Sequence, residues 1–197
     1  LSENYINNIS PVNGEIYSLI PDSDSKDIDI AVTSAQNAFI TWSKLSKKKR
    51  YDHIMHLADL IEEHFDELVE AESKDNGKPE WLARSVDIPR SSENFRFFAT
   101  ASLHFDSEIH EMDGKAINYT LRQPIGVAGC ISPWNLPIYL LTWKIAPALA
   151  AGNTVVAKPS EITPMTAYIF SQICKKAEFP QGVINIVHGY GNKVGDA

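Results

Sequence analysis

No apolar run in this chain reaches the roughly 18 residues that a membrane-spanning helix requires, and the first residues carry no signal-peptide pattern. Cysteine is scarce: Cys130 and Cys174 are the two in 197 residues, too few for a disulfide framework. Positive charge is also short. Lys and Arg number 18 against 25 Asp and Glu, a formal net charge of −7, and the basic cluster Lys47-Lys48-Lys49-Arg50 opens a helical pattern that soon turns acidic. A nucleic-acid binder would show a basic stripe, and none stands out. His53, His56, His64, His104, His110 and His188 fall at no metal-ligand spacing with cysteines or carboxylates, so no metal is expected. Internal repeats and low-complexity stretches are missing as well. What remains is a reduced, cytoplasmic globular protein with neither nucleic acid nor membrane as partner.

A hydrophobic content of 44% with 22% charged residues is ordinary for a folded chain, and the length suits one large domain or a domain and a half. Pro11-Val12-Asn13-Gly14-Glu15 predicts a turn between two short extended pieces. Beyond the N-cap oxygens of Asp22-Ser23-Asp24-Ser25, apolar residues recur at Ile28, Ala31, Val32, Ala35, Phe39 and Trp42, one face of a helix. A second helical pattern runs over 49–74 and stops at Asn76-Gly77. A third covers 80–103, with Pro89 expected to bend or restart it. Residues 115–122 alternate as a strand, with Ile117, Tyr119 and Leu121 on one side.

From Gly126 onward the rhythm changes. Val127 to Ile131 is an apolar, β-branched run that ends in Ser132-Pro133-Trp134-Asn135. An apolar helical stretch closed by Gly152-Asn153 follows, and Thr154-Val155-Val156-Ala157 then opens into Lys158-Pro159-Ser160-Glu161. This is strand, helix, strand, with polar residues at the carboxyl ends of both strands, where open α/β sheets bind ligands. A crossover helix over 163–176 and a third strand over 183–187 continue the pattern. Gly189, Gly191 and Gly195 then open a helix that stops at Ala197. The expected fold is α/β, a Rossmann-like parallel sheet with flanking helices that breaks off before the sheet is complete. With Leu1 in place of an initiator methionine, the chain reads as part of a longer protein.

Taken by themselves, the polar residues admit ordinary readings. Asn135 could cap the helix that follows it. Lys158 and Glu161 could form a surface pair worth at most ~1 kcal/mol. The run Gly189, Gly191, Gly195 is one residue longer than the dinucleotide fingerprint and follows the third strand instead of the first, as a helix-entry turn would. The two thiols lie among apolar residues and read as inert packing.

The segment from Ile131-Ser132-Pro133-Trp134-Asn135 to Lys158-Pro159-Ser160-Glu161 closely resembles the NAD(P)-dependent aldehyde dehydrogenase family, and the likeness extends over nearly the whole chain. The resemblance implies that Asn135 donates its amide to the oxyanion formed when an aldehyde is attacked by a cysteine. It implies that Lys158 and Glu161 hold the adenosine ribose of NAD, with Glu161 repelling the 2′-phosphate of NADP, and that Ser160 belongs to the same cofactor site. It also implies that Ile131, Ser132, Pro133 and Trp134 line the cofactor cleft, and that Gly191 and Gly195 lie beside the adenine end. The family's nucleophilic cysteine and general-base glutamate belong to motifs beyond position 197, so this stretch alone is expected to be inactive.

Asp87-Ile88-Pro89-Arg90, Asn94-Phe95-Arg96-Phe97-Phe98 and Leu140-Leu141-Thr142-Trp143-Lys144 resemble the branch of that family that oxidises 2-aminomuconate 6-semialdehyde in tryptophan breakdown. In that branch an arginine at the Arg90 position holds the substrate carboxylate. A pair on the helix surface with Asp87 or Glu93 is the competing role. The implied organisation is a helical part of the cofactor domain over 1–113, a strand of an assembly hairpin over 114–124, and a partial NAD-binding region over 125–197, with the catalytic domain outside the chain. Homodimers or homotetramers and a small aldehyde substrate follow from the same likeness. Compared with the family, the first hairpin reads as shortened. A non-catalytic truncated product, or a structural relative of the lens-crystallin kind, is the alternative from another functional class.

Overall fold

The computed structural model describes residues 3–197. Strands β1 (Tyr5–Ile9) and β2 (Ile16–Pro21) form an antiparallel hairpin with a register shift at Asn8/Ile9. The turn predicted at 11–15 joins them, closed by Ser10 N–H to the Glu15 carbonyl (2.9 Å) and Gly14 N–H to the Ser10 carbonyl (2.8 Å). Shortened or not, the hairpin is anchored. Asn8 is buried and donates to Asp75 Oδ1 (2.8 Å), and Ser10 Oγ donates to the Lys74 carbonyl (3.0 Å).

Helix α1 (Ser25–Trp42) begins where expected, with Asp24 and Asp27 forming a capping box. The single helix predicted over 49–74 is instead two, α2 (Lys47–Glu63) and α3 (Phe65–Asn76). The break falls at His64, whose backbone leaves helical geometry at φ −99° and ψ 22°. Its ring Nδ1 lies 2.8 Å from the Leu60 carbonyl and Nε2 lies 2.6 Å from Lys176 Nζ, so Nδ1 donates and Nε2 accepts. Gly77, in the left-handed region at φ 77°, ends α3 as predicted.

The pattern over 80–103 becomes α4 (Glu80–Leu82), a π-helical segment (Ala83–Asp87) and α5 (Ile88–Leu103). The irregularity falls before Pro89 instead of at it. Proline is tolerated in the first turn of a helix, and the preceding turn widens so that Ile88 N–H reaches back to the Ala83 carbonyl. Next comes the hairpin β3 (Ile109–Met112) and β4 (Ala116–Tyr119); its first strand is an addition to the sequence reading, and every residue in both strands is exposed.

Strands β5 (Val127–Ile131), β6 (Thr154–Lys158) and β7 (Ile184–Ile186) form a parallel sheet in that order, connected by α6 (Pro137–Ala150) and α7 (Met165–Lys176). The register pairs Ile131 with Lys158, so the loops after β5 and β6 emerge side by side. One core joins this sheet to the helices: Ile54, Leu57, Ile61, Leu68, Phe95, Ile138, Leu141, Ile145, Val155 and Phe170 are all at most 1% exposed. Phe95 and Phe170 stack with centroids 5.8 Å apart. Arg50 is buried at the carboxyl end of α6, donating through Nε to the Ala150 carbonyl (3.2 Å) and through a terminal nitrogen to the Leu45 carbonyl. A cation there opposes the negative end of the helix dipole.

A second buried charge cluster ties α3 to the π-helical segment. Lys78 Nζ lies 3.2 Å from Glu72 Oε1 and 2.9 Å from Asp87 Oδ2, with both carboxylate side chains fully buried. One ammonium cannot neutralise two carboxylates. Burial pushes the Glu72 carboxyl up to about 7, with the Lys78 charge opposing and the Asp87 charge adding. Folded Glu72 therefore keeps its proton to a higher pH than the unfolded chain does. The stability this contributes is complete below the ordinary value of 4.5 and is lost as pH rises through 7. The melting temperature should fall between about pH 5 and pH 8, and Glu72→Gln, neutral throughout, should make that fall shallower. Thermal denaturation across this range checks it; equal slopes in both proteins would contradict it.

Candidate active site

The residues singled out from the sequence converge at the carboxyl ends of β5 and β6. Ser132 N–H donates to the Lys158 carbonyl (3.1 Å), extending the β5–β6 ladder one residue into the loops. Ile131 is 58% exposed at the end of β5, and its Cδ1 lies 4.0 Å from where a Cβ on Gly195 would be. Ser132 is buried, and its Oγ lacks a protein partner. Pro133, Trp134 and Asn135 are exposed. The Trp134 carbonyl accepts from Asn76 Nδ2 (2.9 Å) and from Thr163 Oγ1 (3.4 Å).

Asn135 does not cap α6. Leu136 is the N-cap residue and no side chain caps this helix, which starts on Pro137, whose missing N–H removes one unsatisfied donor. Asn135 is exposed, and its carboxamide makes no capping bond to the backbone of α6.

Lys158 is buried at the end of β6, and its ammonium donates to the Pro159 carbonyl (3.1 Å) and to Glu161 Oε2 (2.7 Å). Two of its three donors are thereby used. Burial pushes the Glu161 carboxyl up, but the Lys158 hydrogen bond, the Glu161 N–H, the Lys158 charge and the Gly191 N–H together outweigh it and hold it below the usual range. Glu161 is thus an ionised acceptor with Gly191 beside it. Ser160 is buried, and its Oγ accepts from Ile162 N–H (3.2 Å), which shapes the loop. Gly191 and Gly195 bound a π-helical turn (Gly191–Gly195), and space is open where a Gly191 Cβ would stand.

His188, at the foot of that turn, was passed over in the sequence because only metal spacing was sought. It is buried, with Nδ1 unpartnered, and burial followed by the Lys158 charge pushes it down to about 4. It is neutral at ordinary pH, so Lys158 is the buried cation here. Glu161, as an ionised acceptor, and the remaining donor of Lys158 stand together beside Gly191, while the Ser132 hydroxyl is buried away from solvent. Among the described residues, no group of three His, Cys, Asp or Glu is placed to hold a metal ion. No helix among them is long and apolar enough to cross a membrane.

Arg90 sits on α5 and faces α6. Its guanidinium pairs with Glu93 (3.2 Å), one of the partners anticipated, while Asp87 is committed to Lys78. It also donates to the Tyr139 hydroxyl (3.3 Å) and lies over the rings of Tyr139 and Trp143, 5.4 and 5.9 Å from their centroids. Tyr139 lies in the first turn of α6, one turn beyond Asn135. Both cysteines are buried, Cys130 in β5 and Cys174 in α7, and desolvation raises both thiols. A thiol so placed is a poor nucleophile. The sequence reading also missed Asn76 and Thr163. Asn76 had been read as a helix stop, and its contact lies 58 positions away.

The model of the aldehyde dehydrogenase family matches residues 1–197. The chain is 53% identical over 194 residues to 2-aminomuconic semialdehyde dehydrogenase of Homo sapiens and 54% identical over 193 residues to that of Danio rerio, in each case covering 98% of this chain and 40% of the relative. The chain thus spans about two fifths of the length of these curated relatives. Among solved structures, PnpE from Pseudomonas sp. WBC-3 superposes with a TM-score of 0.93 and PnpE in complex with nicotinamide adenine dinucleotide with 0.94, each at 40% identity over 98% of this chain and 39% of that one. The protein belongs to the aldehyde dehydrogenase family.

Proposed function

We propose that this chain supplies the oxyanion amide and the adenosine side of the cofactor site of an NAD-dependent aldehyde dehydrogenase. Its substrate would be a carboxylated semialdehyde of the 2-aminomuconate 6-semialdehyde kind, oxidised to the acid. The observation that carries this reading is that Asn135, exposed, stands in the loop after β5 while the Lys158–Glu161 pair stands in the loop after the adjacent parallel strand β6.

The chemistry follows from those side chains. When a nucleophile adds to the aldehyde carbon, the carbonyl oxygen takes up negative charge. A preorganised N–H of Asn135 aimed at that oxygen is worth ~3–4 kcal/mol, and an amide donates without a proton to lose. Glu161 accepts from the adenosine ribose, Lys158 holds Glu161 ionised and donates its remaining N–H, and Ile131 to Trp134 form the wall of the cleft with Ser160, Gly191 and Gly195 nearby. NAD, when bound there, supplies the hydride acceptor. Neither buried thiol suits the role of nucleophile, so residues 1–197 alone would oxidise no aldehyde. Arg90 presents a planar, always charged fork to the substrate carboxylate, with Tyr139 and Trp143 fixing its plane.

The same reading gives the organisation: a helical part over 1–113, an assembly strand over 114–124 and a dinucleotide-binding part over 125–197. Exposed Ile109, Ile117 and Tyr119, on one face of β3 and β4, offer an apolar surface for a homodimer or homotetramer. Two unpaired, buried cysteines accord with a cytoplasmic setting.

Three substitutions in the full-length protein test the roles separately. Asn135→Ala should lower kcat by about 10²–10³ with little change in NAD affinity, because the amide matters once the oxyanion forms. Steady-state kinetics with varied NAD checks this, and unchanged turnover would remove Asn135 from the chemistry. Glu161→Gln should narrow or reverse the preference for NAD over NADP, since the charge that repels a 2′-phosphate is gone while size and hydrogen bonding remain. A surviving preference in the ratio of kcat/KM values would place the ribose elsewhere. Arg90→Ala should cost about ten- to a hundredfold in kcat/KM for a carboxylated semialdehyde and leave a simple aliphatic aldehyde almost unaffected, with Arg90→Lys recovering part of the loss. Equal losses on both substrates would make Arg90 a support of the fold.

A further inference from the structure

Asn135 lies on an exposed loop and receives no help from the cap of α6, so an oxyanion donor there needs something else to hold it in place. The structure supplies a clamp one residue earlier. The Trp134 carbonyl accepts from Asn76 Nδ2 at 2.9 Å and from Thr163 Oγ1 at 3.4 Å, two donors from different parts of the fold. A carbonyl and the following N–H share one rigid peptide plane. Fixing the Trp134 oxygen therefore fixes the plane that leads into Asn135, and with it the position of the Asn135 Cα from which the side chain departs. Ser132 N–H on the Lys158 carbonyl pins the other end of the loop.

Asn76 is itself well held. It is the last residue of α3, followed by the left-handed Gly77. Its neighbour Asp75 is buried, and its carboxylate accepts from Asn8 Nδ2 (2.8 Å), from the Tyr17 hydroxyl and from Met165 N–H at the start of α7 (2.7 Å). The residue that reaches the loop thus stands on a point where the first hairpin, α3 and α7 meet. Thr163, 2% exposed, comes from the loop that carries Glu161. One carbonyl links the Asn135 loop to both.

We propose that Asn76 is a positioning residue for Asn135, acting through the Trp134 carbonyl. This rests on the oxyanion role given to Asn135 above. The test is a double-mutant cycle in the full-length enzyme with Asn76→Ala, Asn135→Ala and both together. Asn76→Ala should lower kcat about tenfold, the loss of one well-placed hydrogen bond, with KM for NAD within about twofold of wild type. In the Asn135→Ala background the same substitution should change kcat by less than about twofold, because the group it orients is gone.

A role confined to stability would reduce both backgrounds alike, and that additive loss overturns the proposal, as does an unchanged kcat for Asn76→Ala. Full turnover by Asn135→Ala is a separate result that overturns the oxyanion role first and this proposal with it. Should Asn76→Ala fail to fold, Asn76→Asp, of the same size but lacking the donated N–H, carries the same expectations. In 5-fluorotryptophan-labelled protein the Trp134 resonance, identified by its loss in Trp134→Phe, should shift or broaden in the Asn76 variant; an unmoved resonance also overturns the proposal.

Discussion

Everything at this site depends on the parallel pairing of β5 with β6 in the register that sets Ile131 opposite Lys158. Parallel strands need a crossover, and α6 supplies it while burying Ile138, Leu141, Ile145 and Leu149 beneath the sheet. Because both strands run the same way, their carboxyl ends lie together, and the two polar loops start one ladder step apart. A slip of β5 by one residue would turn Cys130 to the other face and separate Ser132 from the Lys158 carbonyl. The other end of the crossover is also fixed. Asn153 Oδ1 accepts from Ile125 N–H (2.8 Å) and Gly126 N–H (3.2 Å), joining the start of β5 to the start of β6.

The first half of the chain works as a buttress for that sheet. Helices α2 and α5 pack on α6, and α1 packs on the opposite side of β6, where Thr154 Oγ1 donates to the Ala35 carbonyl (3.0 Å). Gly182 is the tightest point of this contact: a Cβ would come within 2.4 Å of the Ser34 carbonyl oxygen, and φ there is +86°. Buried charge is handled by local compensation throughout. Arg50 sits on helix carbonyls, Lys78 between Glu72 and Asp87, and Lys158 on Glu161 and Pro159. The third arrangement is the one left partly open to solvent at its carboxylate, 28% exposed against fully buried carboxylates in the second. That difference leaves the third arrangement accessible to a ligand and the second closed to one.

The strand, helix, strand sequence over 127–158 was legible because its signals are contiguous: β-branched runs, a proline at the helix start and glycine at its end. The Lys158–Glu161 pair was legible for the same reason, being three residues apart in one loop. Contacts across long separations were not. Nothing in the local pattern ties Asn76 to Trp134, or Asp75 to Tyr17 and Met165, and those bonds hold the loop and the first hairpin. The break at His64 escaped because the apolar period continues through it, while the change is confined to the backbone dihedrals of one residue. Strand β3 escaped because its exposed residues, with His110 and Glu111 between Ile109 and Met112, bury no face to leave an alternation. Arg90 was half legible. The Glu93 pair could be read from helical spacing, whereas the aromatic rings that orient it come from α6.

The most direct measurement is a crystal structure of the full-length protein with NAD bound. The account predicts that the adenosine ribose hydroxyls lie within hydrogen-bonding distance of Glu161 and Lys158, with the Asn135 amide facing the nicotinamide end across the Ser132–Trp134 loop. A ribose held elsewhere, or an Asn135 amide turned back onto the start of α6, would contradict it.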